Sequence, residues 1–150
     1  MKPAVHITVS AAAAVPLYYI TGSKTVAATS FFWGFLIDTD HVIDYLREYG
    51  LRFDLKGFFH SFYETRFRKL VLLFHAWEWV ALLAVLIWCG NRSSVILGLL
   101  VGTVHHLLLD QFGNGPTNLG YSIIYRACRR FSTMEIIRKS VVDKKRGLSS

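Results

Sequence analysis

The run LVLLFHAWEWVALLAVLIW, residues 70–88, decides the fold. It contains no glycine or proline, and from Leu70 to Asn91 the only formal charge is Glu78, with His75 nearby. A stretch of this length and purity matches the ~20 residues needed to cross a hydrocarbon layer, so it predicts a membrane-spanning helix. Downstream, VILGLLVGTVHHLLL (residues 95–109) has no formal charge, and its Gly98 and Gly102 form a small-xxx-small pair that admits a close neighbouring helix. Upstream, residues 3–37 carry one formal charge, Lys24. Two more apolar stretches lie there: Val5 to Ile20, interrupted by Pro16, and Thr25 to Ile37, short for a full crossing at ~1.5 Å per residue. A cleaved signal peptide is the competing account of residues 1–22, given Lys2, the apolar stretch and the small residues.

The expected fold class is therefore all-α, an integral membrane helical bundle of about four spans with amphipathic surface helices. Residues 45–69 mix aromatics and bases, as a helix lying on a membrane surface does. Gly113, Gly115 and Pro116 end the fourth span, and residues 120–138 read as a basic amphipathic helix. The chain reads as one domain over residues 1–138, followed by a basic, flexible tail over 139–150. It has no internal repeat.

Of the 150 residues 53% are apolar and 18% charged, which excludes disorder. The net charge of +7 would in a soluble domain suggest nucleic acid. Its distribution explains it otherwise. With both termini on one face, that face carries fifteen Lys and Arg, and the other only Lys24 and Arg92. The positive-inside rule then puts both termini and the 38–69 segment in the cytoplasm of a multi-pass protein, expected in the bacterial inner membrane. The basic residues complement anionic membrane lipids, and no nucleic-acid partner is expected. Cys89 and Cys128 fall on opposite faces, so no disulfide joins them.

Ionisable residues at membrane depth are costly and mark function by default. Here they recur in ordered spacings. His75 and Glu78 are three apart, on one face of the predicted third span. His106 and Asp110 are four apart on the fourth, with Asn114 continuing the row; His105 points ~100° away. Asp38, Asp40 and His41 end the second span, Asp44 reads as an ordinary helix-end residue, and His6 sits at the mouth of the first. Four antiparallel helices place all these clusters at one depth, in the cytoplasmic leaflet. Such a set suits a divalent metal, most readily Zn²⁺, with Mn²⁺ or Fe as alternatives. The metal ligands are expected to be His6, Asp38, His41, His75, His106 and Asp110, with Glu78 or Asp40 as the general base on metal-activated water.

The elements DTDH (38–41), HAWE (75–78) and HHLLLDQFGN (105–114), on an apolar chain of this size, resemble the bacterial family of membrane-bound metal-dependent hydrolases. More remotely, the H-x-x-x-D pair with upstream Asp and His is similar to the zinc-dependent phospholipase C and P1 nuclease superfamily, helical enzymes that cleave phosphate esters with a metal cluster. Ile37 stands where the membrane family commonly carries a proline. His75 and Glu78 are three apart, whereas the superfamily uses H-x-x-x-E; His60 and Glu64 have that spacing but lie in the surface segment. The resemblance covers roughly residues 1–115 and implies hydrolysis of a phosphate ester or lipid at the cytoplasmic leaflet.

Two other classes compete. A non-enzymatic membrane protein, either a metal or proton carrier or a scaffold, would use the same groups for binding or packing. A haem-binding bundle would use two axial histidines, but the carboxylates beside each His favour a hard divalent ion.

Overall fold

The computed structural model describes residues 3–145, and it is all-helical, with no strand among the described residues. Two long helices are α1 (Pro3–Thr21) and α2 (Lys24–Leu36), joined by a turn in which Gly22 takes a left-handed φ of 64°. A 3₁₀ turn over Ile37–Thr39 leads into α3 (Asp40–Tyr49), followed by α4 (Leu55–Tyr63), which Asp54 caps by accepting from the Lys56 and Gly57 N–H groups. Then come α5 (Trp77–Trp88) and α6 (Ser94–Gly113). Three short helices close the chain: α7 (Ile123–Cys128), α8 (Thr133–Ile136) and α9 (Lys139–Lys145).

Helices α1 and α6 are long and apolar enough to cross a membrane, with 19 and 20 residues. Helices α2 and α5, with 13 and 12 residues, are shorter than a hydrocarbon layer. The four pack as a bundle in which α2 touches α1 and α6, and α5 rests on α6. Helices α1 and α5 bury few of their residues. The buried residues of α1 are His6 and Ser10, and α5 buries none of its twelve. Tyr19, Ile20, Leu82, Val85 and Trp88 are all exposed.

The α2–α6 contact depends on missing side chains. A Cβ on Gly98 would stand 2.6 Å from Thr29 Cβ and 2.8 Å from the Val26 carbonyl oxygen. Because the carbonyl belongs to the α2 backbone, the helices must separate to accept a methyl. Gly98→Ala is expected to cost about 1–3 kcal/mol, read as a lowered Tm in detergent.

Three expectations fail. The 70–88 run is not one helix: Leu70 to Ala76 is an ordered, non-helical segment, and only Trp77 onward is helical. The 120–138 helix is broken, because Arg130 and Phe131 take left-handed φ values of 53° and 59° between α7 and α8. Within the expected tail, residues 139–145 form α9, whose Val142 is 1% exposed; residues 146–150 lie outside the described residues. An amphipathic pattern permits continuous helix in both regions, but long-range backbone partners interrupt it. The Phe131 carbonyl accepts from the Leu70 N–H at 2.9 Å, and the Arg68 carbonyl from the Thr133 N–H at 3.1 Å.

Candidate metal centre

The segment from Leu70 to Ala76 is pinned from both sides, and that explains its shape. Asp44 Oδ2 on α3 accepts the Val71 and Leu72 N–H groups at 2.9 and 3.0 Å, and Asp40 Oδ2 accepts the Phe74 N–H at 2.9 Å. On the other side Arg126 of α7, fully buried, donates to the carbonyls of Leu72 (2.9 Å), His75 (2.7 Å) and Gly120 (3.3 Å). Trp79 Nε1 donates to the Leu73 carbonyl at 2.8 Å. Backbone groups that a helix would pair internally are thus paired with side chains from α3, α5 and α7. Neither Asp44 nor Arg126 stood out in the sequence as part of the site; an isolated acid in a helix and one base in a basic helix carry no such signal.

This segment delivers His75 to the end of the bundle. Its Nδ1–H donates to Asp40 Oδ2 at 3.0 Å, leaving the Nε2 lone pair to face the cluster. On α6, His106 Nδ1–H donates to the Gly34 carbonyl at 2.6 Å, so its Nε2 is likewise free to ligate. The two Nε2 atoms stand 2.9 Å apart. With Nδ1 of each ring donating, the contact between the two Nε2 atoms is satisfied either by a proton on one ring or by a cation that both rings ligate.

Carboxylates complete the set. Asp110 Oδ1 lies 3.1 Å from His6 Nε2, and its Oδ2 lies 3.3 Å from His75 Nε2 and 3.5 Å from His106 Nε2. Asp38 Oδ1 lies 3.4 Å from His75 Nε2, 3.5 Å from His41 Nε2 and 3.6 Å from His106 Nε2. Two ligand groups result, His6–Asp38–His106–Asp110 and Asp38–His41–His75, each with its atoms within 4.8 Å of one another and sharing Asp38. Nδ1 of His6 and of His41 is buried without a hydrogen-bond partner among the described residues, whereas Nε2 of each faces a carboxylate. His6 stacks on His106 at 4.2 Å between centroids, which fixes the ring of α1 against that of α6.

Asp38, Asp40 and Asp110 share this end of the bundle, each within 3.6 Å of at least one histidine nitrogen. A mostly buried set of carboxylates beside imidazoles is a donor set that a divalent cation would satisfy.

The structure thus brings His6, Asp38, His41, His75, His106 and Asp110 to one place and changes the position of both candidate bases. Glu78 is turned away: it accepts from Ser122 Oγ at 2.6 Å and from the Ile123 and Ile124 N–H groups at 3.1 and 3.2 Å, capping α7. Because His75 precedes α5, the three-residue spacing never placed it on a helix face with Glu78. Glu78→Ala is expected to cost about 1–2 kcal/mol as a lost cap and to leave metal stoichiometry unchanged, read by thermal unfolding and elemental analysis. Asp40 belongs to the cluster but spends Oδ2 on His75 and Phe74.

The remaining polar residues have structural partners. His105 donates from Nδ1 to the Val101 carbonyl and accepts from Ser10 Oγ, both at 2.9 Å, tying α6 to α1. His60 and Glu64 pair at 3.1 Å on the exposed face of α4. Asn114 donates to the buried Tyr121 hydroxyl at 3.3 Å. Cys89 and Cys128 are exposed free thiols.

Comparisons with protein-family models, with curated proteins and with solved structures find no match to this chain, so its own geometry is the ground for a functional reading.

Proposed function

We propose that this protein is a membrane-embedded metal-dependent hydrolase that cleaves a phosphate ester or lipid at the cytoplasmic leaflet. The observation that carries the reading is the spacing of the ligand atoms. Four atoms about 2.1 Å from a tetrahedral ion are spaced about 3.4 Å apart, and the six His–Asp distances around Asp38 and Asp110 run from 3.1 to 3.6 Å. The donor set, four imidazoles and two carboxylates, fits Zn²⁺, with Mn²⁺ or Fe as alternatives. Its two groups sharing Asp38 have room for two ions.

When bound, a divalent ion supplies Lewis acidity and a water of lowered pKa. The chain supplies the rest. Asp40 and the Gly34 carbonyl orient His75 and His106 and hold their protons on Nδ1. Hydrolysis forms a bond from a water oxygen to phosphorus as the ester P–O bond breaks, and the water's proton ends on the leaving oxygen. Asp38, whose side chain is 23% exposed against 0–8% for the other five ligands, marks the side from which substrate and water arrive.

Membrane embedding is supported by the exposure of α5: eleven of its twelve residues are apolar and none is buried, a face that is costly to leave in water. We read α1, α2, α5 and α6 as four spans in a bacterial inner membrane, both termini cytoplasmic, with the short α2 and α5 continued by turns and the 70–76 segment. The resemblance to membrane-bound metal-dependent hydrolases agrees with this arrangement.

The test is elemental analysis of detergent-purified protein together with phosphodiester and phosphomonoester hydrolysis before and after chelation. Stoichiometric metal and a chelator-sensitive activity restored by Zn²⁺ or Mn²⁺ are expected; metal without hydrolysis of either ester class selects a carrier or scaffold instead. Asp40→Asn is expected to weaken metal binding about 10–100-fold, measured by competition with a chelator. An unchanged affinity would remove Asp40 from its positioning role.

A further inference from the structure

The centre opens in one direction, and what lies there is apolar. Asp38 and His41 form the inner end of a groove of about 260 Å³ whose walls are Phe35 and Leu36 at the end of α2 and Phe58, Phe59 and Phe62 on α4. The remaining ligands, His6, His75, His106 and Asp110, have side chains at most 1% exposed. A second cavity bordering His41, of about 40 Å³ and walled in part by Tyr121, Leu72 and Ile136, has room for a water or so but not for a chain. A soluble phosphate ester would be met by polar walls and bases; here the approach offers five apolar side chains, three of them on the aromatic helix expected to lie on the membrane surface.

From this juxtaposition we propose, resting on the hydrolase reading above, that the substrate is an amphiphile: a phosphate ester bearing an alkyl or acyl chain, whose chain lies in the phenylalanine groove while its phosphate reaches the centre past Asp38 and His41. The chemistry divides cleanly. The anionic head matches a cationic centre, and the chain matches walls that would otherwise face head groups and water. The groove positions the chain and the centre sets which bond is cut; for an analogue arriving from water, each methylene withdrawn into the groove improves affinity about fourfold. Access is lateral, from the leaflet, through the space between α2 and α4. His41 is at once a candidate ligand and the wall against which the chain ends, packed edge-on to Phe62 at 4.3 Å between centroids.

The experiment uses full-length, metal-loaded protein in lipid nanodiscs and a dodecylphosphonate carrying a diazirine at its chain end. After illumination, labelled peptides are identified by mass spectrometry, and metal is measured on the same samples. Labelling concentrated in residues 55–63 is expected, reduced at least about fivefold by excess methylphosphonate, which competes for the head alone. Phe59→Trp, which narrows the groove, is expected to shift label away from α4; Phe59→Ala, which widens it, is expected to retain labelling there and serves if the larger side chain disturbs folding. Label spread evenly over α1 and α5, indifferent to methylphosphonate, in protein with full metal overturns the groove and leaves the hydrolase reading standing. Protein without metal overturns both.

Discussion

Asp110→Asn is expected to abolish stoichiometric metal binding. Asp110 is a buried carboxylate within reach of three of the four histidines, His6 through Oδ1 and His75 and His106 through Oδ2. The substitution keeps size and shape but replaces an anionic ligand oxygen with an amide, so the packing of α6 against α1 survives while the charge that attracts a divalent ion is lost. Loss of an outer partner of a ligand costs about 10–100-fold in affinity, and loss of a ligand should exceed that, beyond about 100-fold. His75→Ala should match it, since His75 belongs to the second ligand group. Elemental analysis after equilibrium dialysis reads both. Equal trace metal in wild type and variants would mean that the cluster is a hydrogen-bonded network of imidazoles and carboxylates that fixes packing. In that case Asp110→Asn should lower thermal stability, by removing the anionic partner of three buried histidines.

The second large effect is structural. Arg126→Ala is expected to destabilise the protein by about 3–5 kcal/mol. Arg126 is fully buried and makes no ion pair among the described residues; its guanidinium spans the carbonyls of Leu72, His75 and Gly120. Burial pushes its pKa down, opposed by the field of Asp40 and Glu78. Truncation leaves three carbonyls to find other partners and opens a cavity the size of the side chain. Arg126→Lys should recover little, because one ammonium on a flexible stem cannot reproduce a planar fork bridging separate carbonyls. Thermal unfolding in detergent measures the loss, and metal affinity should fall with it, since the segment that Arg126 holds carries His75. A Tm within a few degrees of wild type would show that Asp40 and Asp44 suffice to hold the segment.

Much of the centre was legible from residue types and spacing. His106 and Asp110 share one face of α6 because four residues make one turn, and the structure keeps that pair intact. The acids and histidine at 38–41 sit where the second apolar run ends, and they do meet α6. His105, one residue from His106, is turned to Ser10 as the helical rotation requires. The 70–88 run misled because hydrophobic periodicity cannot distinguish a continuous helix from a buried irregular segment followed by a shorter one. Glu78 misled for the same reason, since its spacing from His75 had meaning only if both were helical.

The amino-acid sequence by itself determined which segments are apolar, that the structure is helical, and which imidazoles and carboxylates stand at the ends of those segments, because these follow from local periodicity and charge. Only the tertiary structure decided how residues 70–76 run. Their backbone groups are claimed by Asp40 and Asp44 some thirty residues upstream and by Arg126 some fifty residues downstream. Partners that distant leave no mark on local sequence, and it is they that set the direction of His75 and with it the geometry of the centre.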